Sequence, residues 1–329
     1  MAPSLKKHHQ SAQDVLTLAY AKKSSLKELQ HSILQKNHVS SSQSSDYNTL
    51  TFKGYYFHDS AEITFKTADL FYKTKNIFHN TAFGIDTGVV SLEKKNQGKY
   101  TGYRYGFSVY WKHLMLRLGA NHFKDFSEFV PQISYTNSYK KHNYLIDYKY
   151  QNSLFYTYAL KSYEKRIKAH HISVSDYISL ERQSDLWASL EYNIFSNSDK
   201  ELTLQYDWRF YYNQLFDESF SYYIALEGWY TSHTKQHTDF YSPSFSDTTI
   251  IRIDPQYIFS KYIGIKAKAG IGYSFKDKTV AYKYGIWLFG NPINNLSYNA
   301  GCLYSNSAKV SSGTSYNYEE CKLNLEYQW

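Results

Sequence analysis

SYNYEECKLNLEYQW, residues Ser315–Trp329, ends the chain. From Cys321 it alternates without interruption. Cys321, Leu323, Leu325, Tyr327 and Trp329 take one parity; Lys322, Asn324, Glu326 and Gln328 take the other. A period of two sends the two sets to opposite faces of a β-strand. One face is apolar and aromatic, the other polar and charged. Such a strand suits a soluble sandwich, or a sheet whose apolar face meets lipid. The rest of the chain decides between them.

The same alternation recurs upstream. Tyr103, Tyr105, Phe107, Val109 and Trp111 oppose Arg104, Gly106, Ser108 and Tyr110. Leu114, Leu116, Leu118 and Ala120 oppose Met115, Arg117, Gly119 and Asn121, with Lys112-His113 between the two runs as a tight hairpin. Residues 202–212, 220–230, 263–273 and 280–288 repeat the pattern. Less regular candidates lie at 47–57, 61–73, 76–90, 129–138, 142–151, 153–161, 168–180, 184–196, 246–258 and 293–306. The tally is roughly seventeen, whereas a single-chain bacterial barrel has an even number, so about sixteen strands are expected, with fourteen as the alternative. The surplus segment is expected among 129–161. Pro255 removes a ladder hydrogen bond, so its strand is expected to end near Asp254 or to bulge there.

Composition favours lipid. The 329 residues include 36 Tyr, 20 Phe and 6 Trp, and aromatics make up 19%. The mean hydropathy is nevertheless negative, and no run of eighteen apolar residues offers a helical membrane span. A membrane barrel escapes that test, because only alternate residues of each strand face lipid. The fold class expected is therefore all-β, a transmembrane antiparallel barrel over 46–329. The formal net charge of +8 is spread along the strands, with no recognition helix or zinc spacing, so nucleic acid is not expected.

Charge tells the wet face from the dry one. A charged group at the lipid midplane costs roughly 2–4 kcal/mol. Arg104, Arg117, Asp207, Arg209, Glu227, Lys266, Lys268, Lys283 and Glu320 are thus expected in the lumen. Tyr110, Tyr211, Tyr223, Trp229 and Trp287 share that face, either filling space or stacking on sugar rings.

Residues 1–45 read differently. Leu16, Leu18, Leu26, Leu29, Ile33 and Leu34 approach helical spacing, and residues 39–45 form a polar linker. One or two short amphipathic helices over 11–37 are expected on the periplasmic side. They suit the end of an upstream helical domain, a plug, a tether or a frayed tail. Met1–Asn37 lacks the apolar core of a signal peptide, as expected of a fragment of a longer precursor or a miscalled start.

No catalytic constellation stands out. His8-His9 and His170-His171 are adjacent pairs that point to opposite faces of a strand, so no metal site is expected. No Gly-x-Ser-x-Gly, phosphate loop or His-Glu-x-x-His occurs, and neither enzyme activity nor a cofactor is expected. Cys302 and Cys321 share the lipid-facing parity. If 296–304 and 316–329 pair around a tip near Ser311-Ser312, they fall directly opposite one another. Both a disulfide and two buried-type thiols fit that position.

Two resemblances bear on function. The terminal Tyr327-x-Trp329 resembles the last strand of bacterial outer-membrane barrels, which implies that Tyr327 and Trp329 are read by the insertion machinery. The helical segment, linker and barrel, with Phe240-Tyr-Ser-Pro243, resemble the carboxy-terminal part of tetratricopeptide-repeat exopolysaccharide exporters, the cellulose and poly-N-acetylglucosamine porins. That resemblance implies an outer-membrane conduit for a polysaccharide, partnered by an inner-membrane synthase, lipopolysaccharide and lipid. The alternatives are a general or anion-preferring diffusion porin, a barrel enzyme and a structural surface protein.

Overall fold

A sheet in hydrocarbon cannot leave an edge, because unpaired N–H and C=O groups find no water there. The computed structural model describes residues 46–329 apart from 61, 79, 158–162, 181–183, 197–201, 216–218, 234–244, 261, 276–277 and 307–316. The helices and linker expected before Asp46, and the hairpin tip near Ser311-Ser312, lie outside the described residues. The first half of the sheet comprises β1 (Thr49–Asp59), β2 (Ile63–Lys73), β3 (Thr81–Lys94), β4 (Gly98–Trp111), β5 (Leu114–Phe123), β6 (Ser127–Tyr139), β7 (His142–Asn152) and β8 (Lys168–Ser179). The second half comprises β9 (Ser184–Ser196), β10 (Leu202–Leu215), β11 (Phe220–His233), β12 (Phe245–Ser260), β13 (Ile263–Ser274), β14 (Thr279–Ile293), β15 (Leu296–Ser305) and β16 (Tyr318–Gln328). Each strand pairs antiparallel with its neighbours in sequence. β1 meets β16 from Thr49↔Gln328 to Asp59↔Tyr318, and the barrel closes at sixteen strands. Asn48 and Trp329 exchange backbone hydrogen bonds at 2.9 and 3.1 Å and seal the seam.

The faces are inverted relative to a soluble protein. Tyr103, Tyr105, Phe107 and Trp111 of β4, Ile251 and Ile253 of β12, and Val280, Tyr284, Ile286 and Leu288 of β14 are exposed on the outside. Polar residues such as Ser108, Asn121, Glu227 and Arg252 are buried on the inside. The shortest strands, β5 and β15, have 10 residues, which matches the roughly 9–11 a tilted strand needs to cross the hydrocarbon. Rings gather at both ends of the apolar band. Trp329 stacks on Tyr72 at 5.9 Å and on Tyr327 at 5.5 Å, and Tyr304 packs at 5.1 Å on Tyr284 toward the opposite end. Such rings suit a membrane–water interface.

Three strand expectations are corrected. Of the segment 153–161, the described residues 153–157 are no strand: they hold one helical turn, α1 (Leu154–Thr157). The Asn152 side chain accepts the Leu154 N–H at 2.9 Å, and Tyr156 N–H donates to the Ser153 carbonyl. This local turn and the burial of Leu154 override the strand preference of its aromatic residues. The strand expected at 76–90 starts only at Thr81, because Thr81 N–H turns back to the Phe78 carbonyl. β12 runs through Pro255, which pairs opposite Tyr222 of β11. On the other side, its register with β13 passes from Ile253↔Ala269 to Gln256↔Lys266, and the shift falls later, between Ile258 and Ser260. The missing N–H thus costs only the β13 side of the ladder.

Candidate functional site: the inner wall

Strand parity builds the site. Arg104 and Tyr110 lie on β4, Arg117 on β5, Arg209 on β10, Tyr223 and Glu227 on β11, Lys266 and Lys268 on β13, Lys283 and Trp287 on β14, and Glu320 on β16. The register puts Arg209 opposite Glu227, and Lys266 opposite Trp287, so they share the inner face. Asp207, Tyr211 and Trp229 take the same register parity; their side chains are outside what the structure describes.

On the β2–β5 wall the cations are matched by acids two strands away. Arg104 pairs with Asp69. Arg117 grips Asp86 with both arms, Nε to Oδ1 at 2.8 Å and Nη2 to Oδ2 at 2.6 Å. Between Asp86 and Arg117 the wall carries Gly106, paired with Gly119. A Cβ at Gly106 would stand 2.6 Å from Arg117 Nη2 and 2.7 Å from Asp86 Oδ1. The guanidinium therefore lies flat in a trough that only glycine leaves open. Gly88 separates Asp69 from Arg104 in the same way.

The β11–β14 wall holds the tightest network. Arg252 donates from Nε and Nη2 to Asp254, at 2.6 and 3.0 Å, and from Nη1 to Glu227 at 2.9 Å. Lys283 takes the other Glu227 oxygen. Lys266 reaches Asp254 at 3.7 Å and covers the Tyr223 ring at 4.0 Å. Arg209 pairs with Glu191 of β9 at 3.2 Å. Glu320 accepts from Tyr55 at 3.2 Å and pairs with Lys322 at 3.3 Å. Buried charges persist only when paired in this manner.

α1 enters the lumen. Leu154 is fully buried in one cluster with the inward residues Phe57, Phe65, Val90 and Leu92. Phe155 meets the Phe65 ring of β2 edge-on at 6.0 Å, and Arg104 covers it at 5.3 Å. Tyr156 stacks on His171 of β8 at 4.9 Å. One turn of helix thus links the β8 wall to the β2–β4 wall. Glu128 of β6 fastens both ends of the connection. It accepts from Asn121 at 2.6 Å, from the Asn152 backbone at 3.1 Å and from Lys168. Farther along, burial and the Asp125 carboxylate, which accepts from it at 3.2 Å, push the Tyr163 phenol up to about 12.

Sequence reasoning passed over the acids Asp69, Asp86, Glu128, Glu191 and Asp254, together with Arg252. Parity was the available signal for Asp69, Asp86, Glu191, Arg252 and Asp254, which sit on the inner parity of strands read as irregular, whereas Glu128 precedes the segment read as 129–138. Lys53, Lys149 and Lys268 differ from the paired cations. None of their side chains makes a hydrogen bond or an ion pair to a described residue. Among the described residues no group of three His, Cys, Asp or Glu could hold a metal ion. On the outer face, Cys302 and Cys321 stand directly opposite with Cα atoms 4.1 Å apart, and their sulfurs are bonded.

No family model matches the chain, and no curated protein does. Among solved structures it is similar to a bacterial polysaccharide outer membrane secretin. The TM-score is 0.67 at 9% identity, over 86% of this chain and 99% of that one. It is also similar to CdiB from Acinetobacter baumannii, with TM-score 0.51 at 11% identity, over 85% of this chain and 60% of that one. At these identities the likeness is one of fold. A closed antiparallel sheet with an apolar band outside and paired charges inside is a membrane-spanning barrel, and the chain belongs in the bacterial outer membrane.

Proposed function

We propose that the barrel is an outer-membrane channel that carries a polysaccharide from the periplasm to the cell surface. The carrying observation is the lumen wall itself. Most of its described acids and bases pair with one another, and Arg117 lies flat over Gly106 and Gly119. Such a wall offers hydrogen-bond partners to sugar hydroxyls. The fold likeness to a polysaccharide secretin agrees with this reading.

The connections support a direction. Most at the end carrying both termini are short, such as 112–113, 140–141 and 294–295, whereas the longest join β7 to β8, β11 to β12 and β15 to β16 at the other end. Short turns mark the periplasmic side of such barrels. Residues 1–45 are then periplasmic, facing an inner-membrane synthase, while Tyr327 and Trp329 serve the insertion machinery and the outer band meets lipopolysaccharide and lipid. A diffusion porin is the second reading, favoured by the uncommitted Lys53, Lys149 and Lys268. Planar-bilayer recording separates the two. Export expects current blocks by added oligosaccharide. A wide, weakly selective channel that oligosaccharide leaves unaffected would sink it.

A further inference from the structure

Most charges of the inner wall pair with one another; of Lys53, Lys149 and Lys268, which do not, Lys268 lies over the Trp287 ring. Lys268 of β13 has Arg252, Lys266 and Lys322 as charged neighbours, with Asp254 the carboxylate among them. Both Asp254 oxygens are already engaged, by Arg252 at 2.6 and 3.0 Å and by Lys266 at 3.7 Å. Glu227 is divided between Arg252 and Lys283, and Glu320 between Tyr55 and Lys322. Among the described residues, no nearby carboxylate is left for Lys268. Its ammonium lies instead 3.9 Å above the Trp287 ring.

That ring is itself held down. A Cβ at Gly285 would stand 2.6 Å from Trp287 Cζ3, and one at Gly301 2.5 Å from Cδ1, so the indole is flat against a glycine floor. The result is a half-buried ammonium on a flat aromatic base, flanked by further cations and facing the lumen. A cation desolvated in this way gains most from an anionic hydrogen-bond partner. A sugar ring that carries a carboxylate offers one, together with a face for the surrounding rings.

We propose that Lys268, with Lys266 and Lys322 beside it, forms an anion-holding station on the β13–β16 wall that receives the carboxylate of an acidic sugar in the exported polymer. The proposal rests on the export reading and specifies its substrate as an acidic polysaccharide.

The test is single-channel recording of the full chain in planar bilayers with three probes: an oligogalacturonate, a neutral galactose oligomer of equal length, and inorganic phosphate. The oligogalacturonate is expected to block for about tenfold longer than the neutral oligomer, the scale of one charge-assisted hydrogen bond. Lys268→Gln should abolish the difference, and Lys268→Arg, which keeps the charge, should retain most of it. Heat-modifiable mobility of both variants checks that they have folded. Equal dwell times for the two oligomers, or an unchanged ratio in Lys268→Gln, overturns the station while leaving export standing. Phosphate competing as strongly as the oligogalacturonate assigns the lysines to a free anion and overturns the sugar. If neither oligomer enters a conducting pore, the export reading itself fails, and the station with it.

Discussion

Glu128→Ala should loosen α1 and enlarge the pore. The carboxylate is 1% exposed and accepts from three donors, of which Lys168 is 25% exposed. Breaking a buried pair by removing one partner costs roughly 3–5 kcal/mol. Lys168 can turn partly to water, so about 2–4 kcal/mol is the better figure. Against this stands the burial of Leu154, worth roughly 1.5–3 kcal/mol, and the Phe155 contacts to Phe65 and Arg104. The two anchors are comparable. The single variant should therefore flicker between the native conductance and a larger one, and Glu128→Ala combined with Leu154→Ala should stay in the larger state. Glu128→Gln keeps an acceptor for Asn121 and the Asn152 backbone but loses the charge, so its effect should be smaller than that of alanine. Single-channel conductance measures all three, with protease sensitivity near Ser153 as a second readout. Native conductance in the double variant would show that α1 does not narrow the path, and would refute the anchoring argument.

Gly119→Val should destabilise by about 1–3 kcal/mol and narrow the pore, because a Cβ there falls 2.7 Å from Arg117 Cζ and drives the guanidinium off Asp86; the denaturant midpoint and conductance read both effects. Thiol labelling of the unfolded protein without reductant should find neither Cys302 nor Cys321 free. The bond spans a sequence separation of 19, so reduction should lower stability by roughly 2–3 kcal/mol, read as a lower temperature of heat modification. Proteases added to intact cells should leave residues 1–45 uncut, and cleavage there without permeabilisation would reverse the proposed orientation.

The fold was legible because lipid imposes a period of two that nothing else in the chain obscures. Tyr103–Trp111 and Cys321–Trp329 declare their faces residue by residue, and the pairing Cys302↔Cys321 follows from register alone. Asn152–Thr157 escaped the same reading for a physical reason. Leu154 and Phe155 are as apolar as any lipid-facing pair, and only the Asn152 turn and the space inside the barrel make them helical. The site was half legible. Parity assigned Arg104, Arg117 and Glu227 to the lumen, yet pairing is a property of neighbouring strands far apart in sequence: Asp69 meets Arg104 across β3, and Glu227 meets Lys283 across two strands.

The glycines connect these two levels. Gly88 and Gly106 each lie between an acid and a base, Gly270 lies between Arg252 and Lys283, and each gives up strand stability to leave the bridging side chains room. A barrel whose inner charges served only solubility would gain from larger residues at those positions, since long cations can extend freely into a water-filled lumen. Laying Arg117 and Arg252 against the wall instead holds their guanidinium groups to Asp86, Glu227 and Asp254. That arrangement suits a path along which a polar chain slides, where a protruding side chain would act as a ratchet tooth. It also explains why Lys268 stands apart. On a wall where flattened cations are answered by acids, the one left over a tryptophan is available to whatever passes.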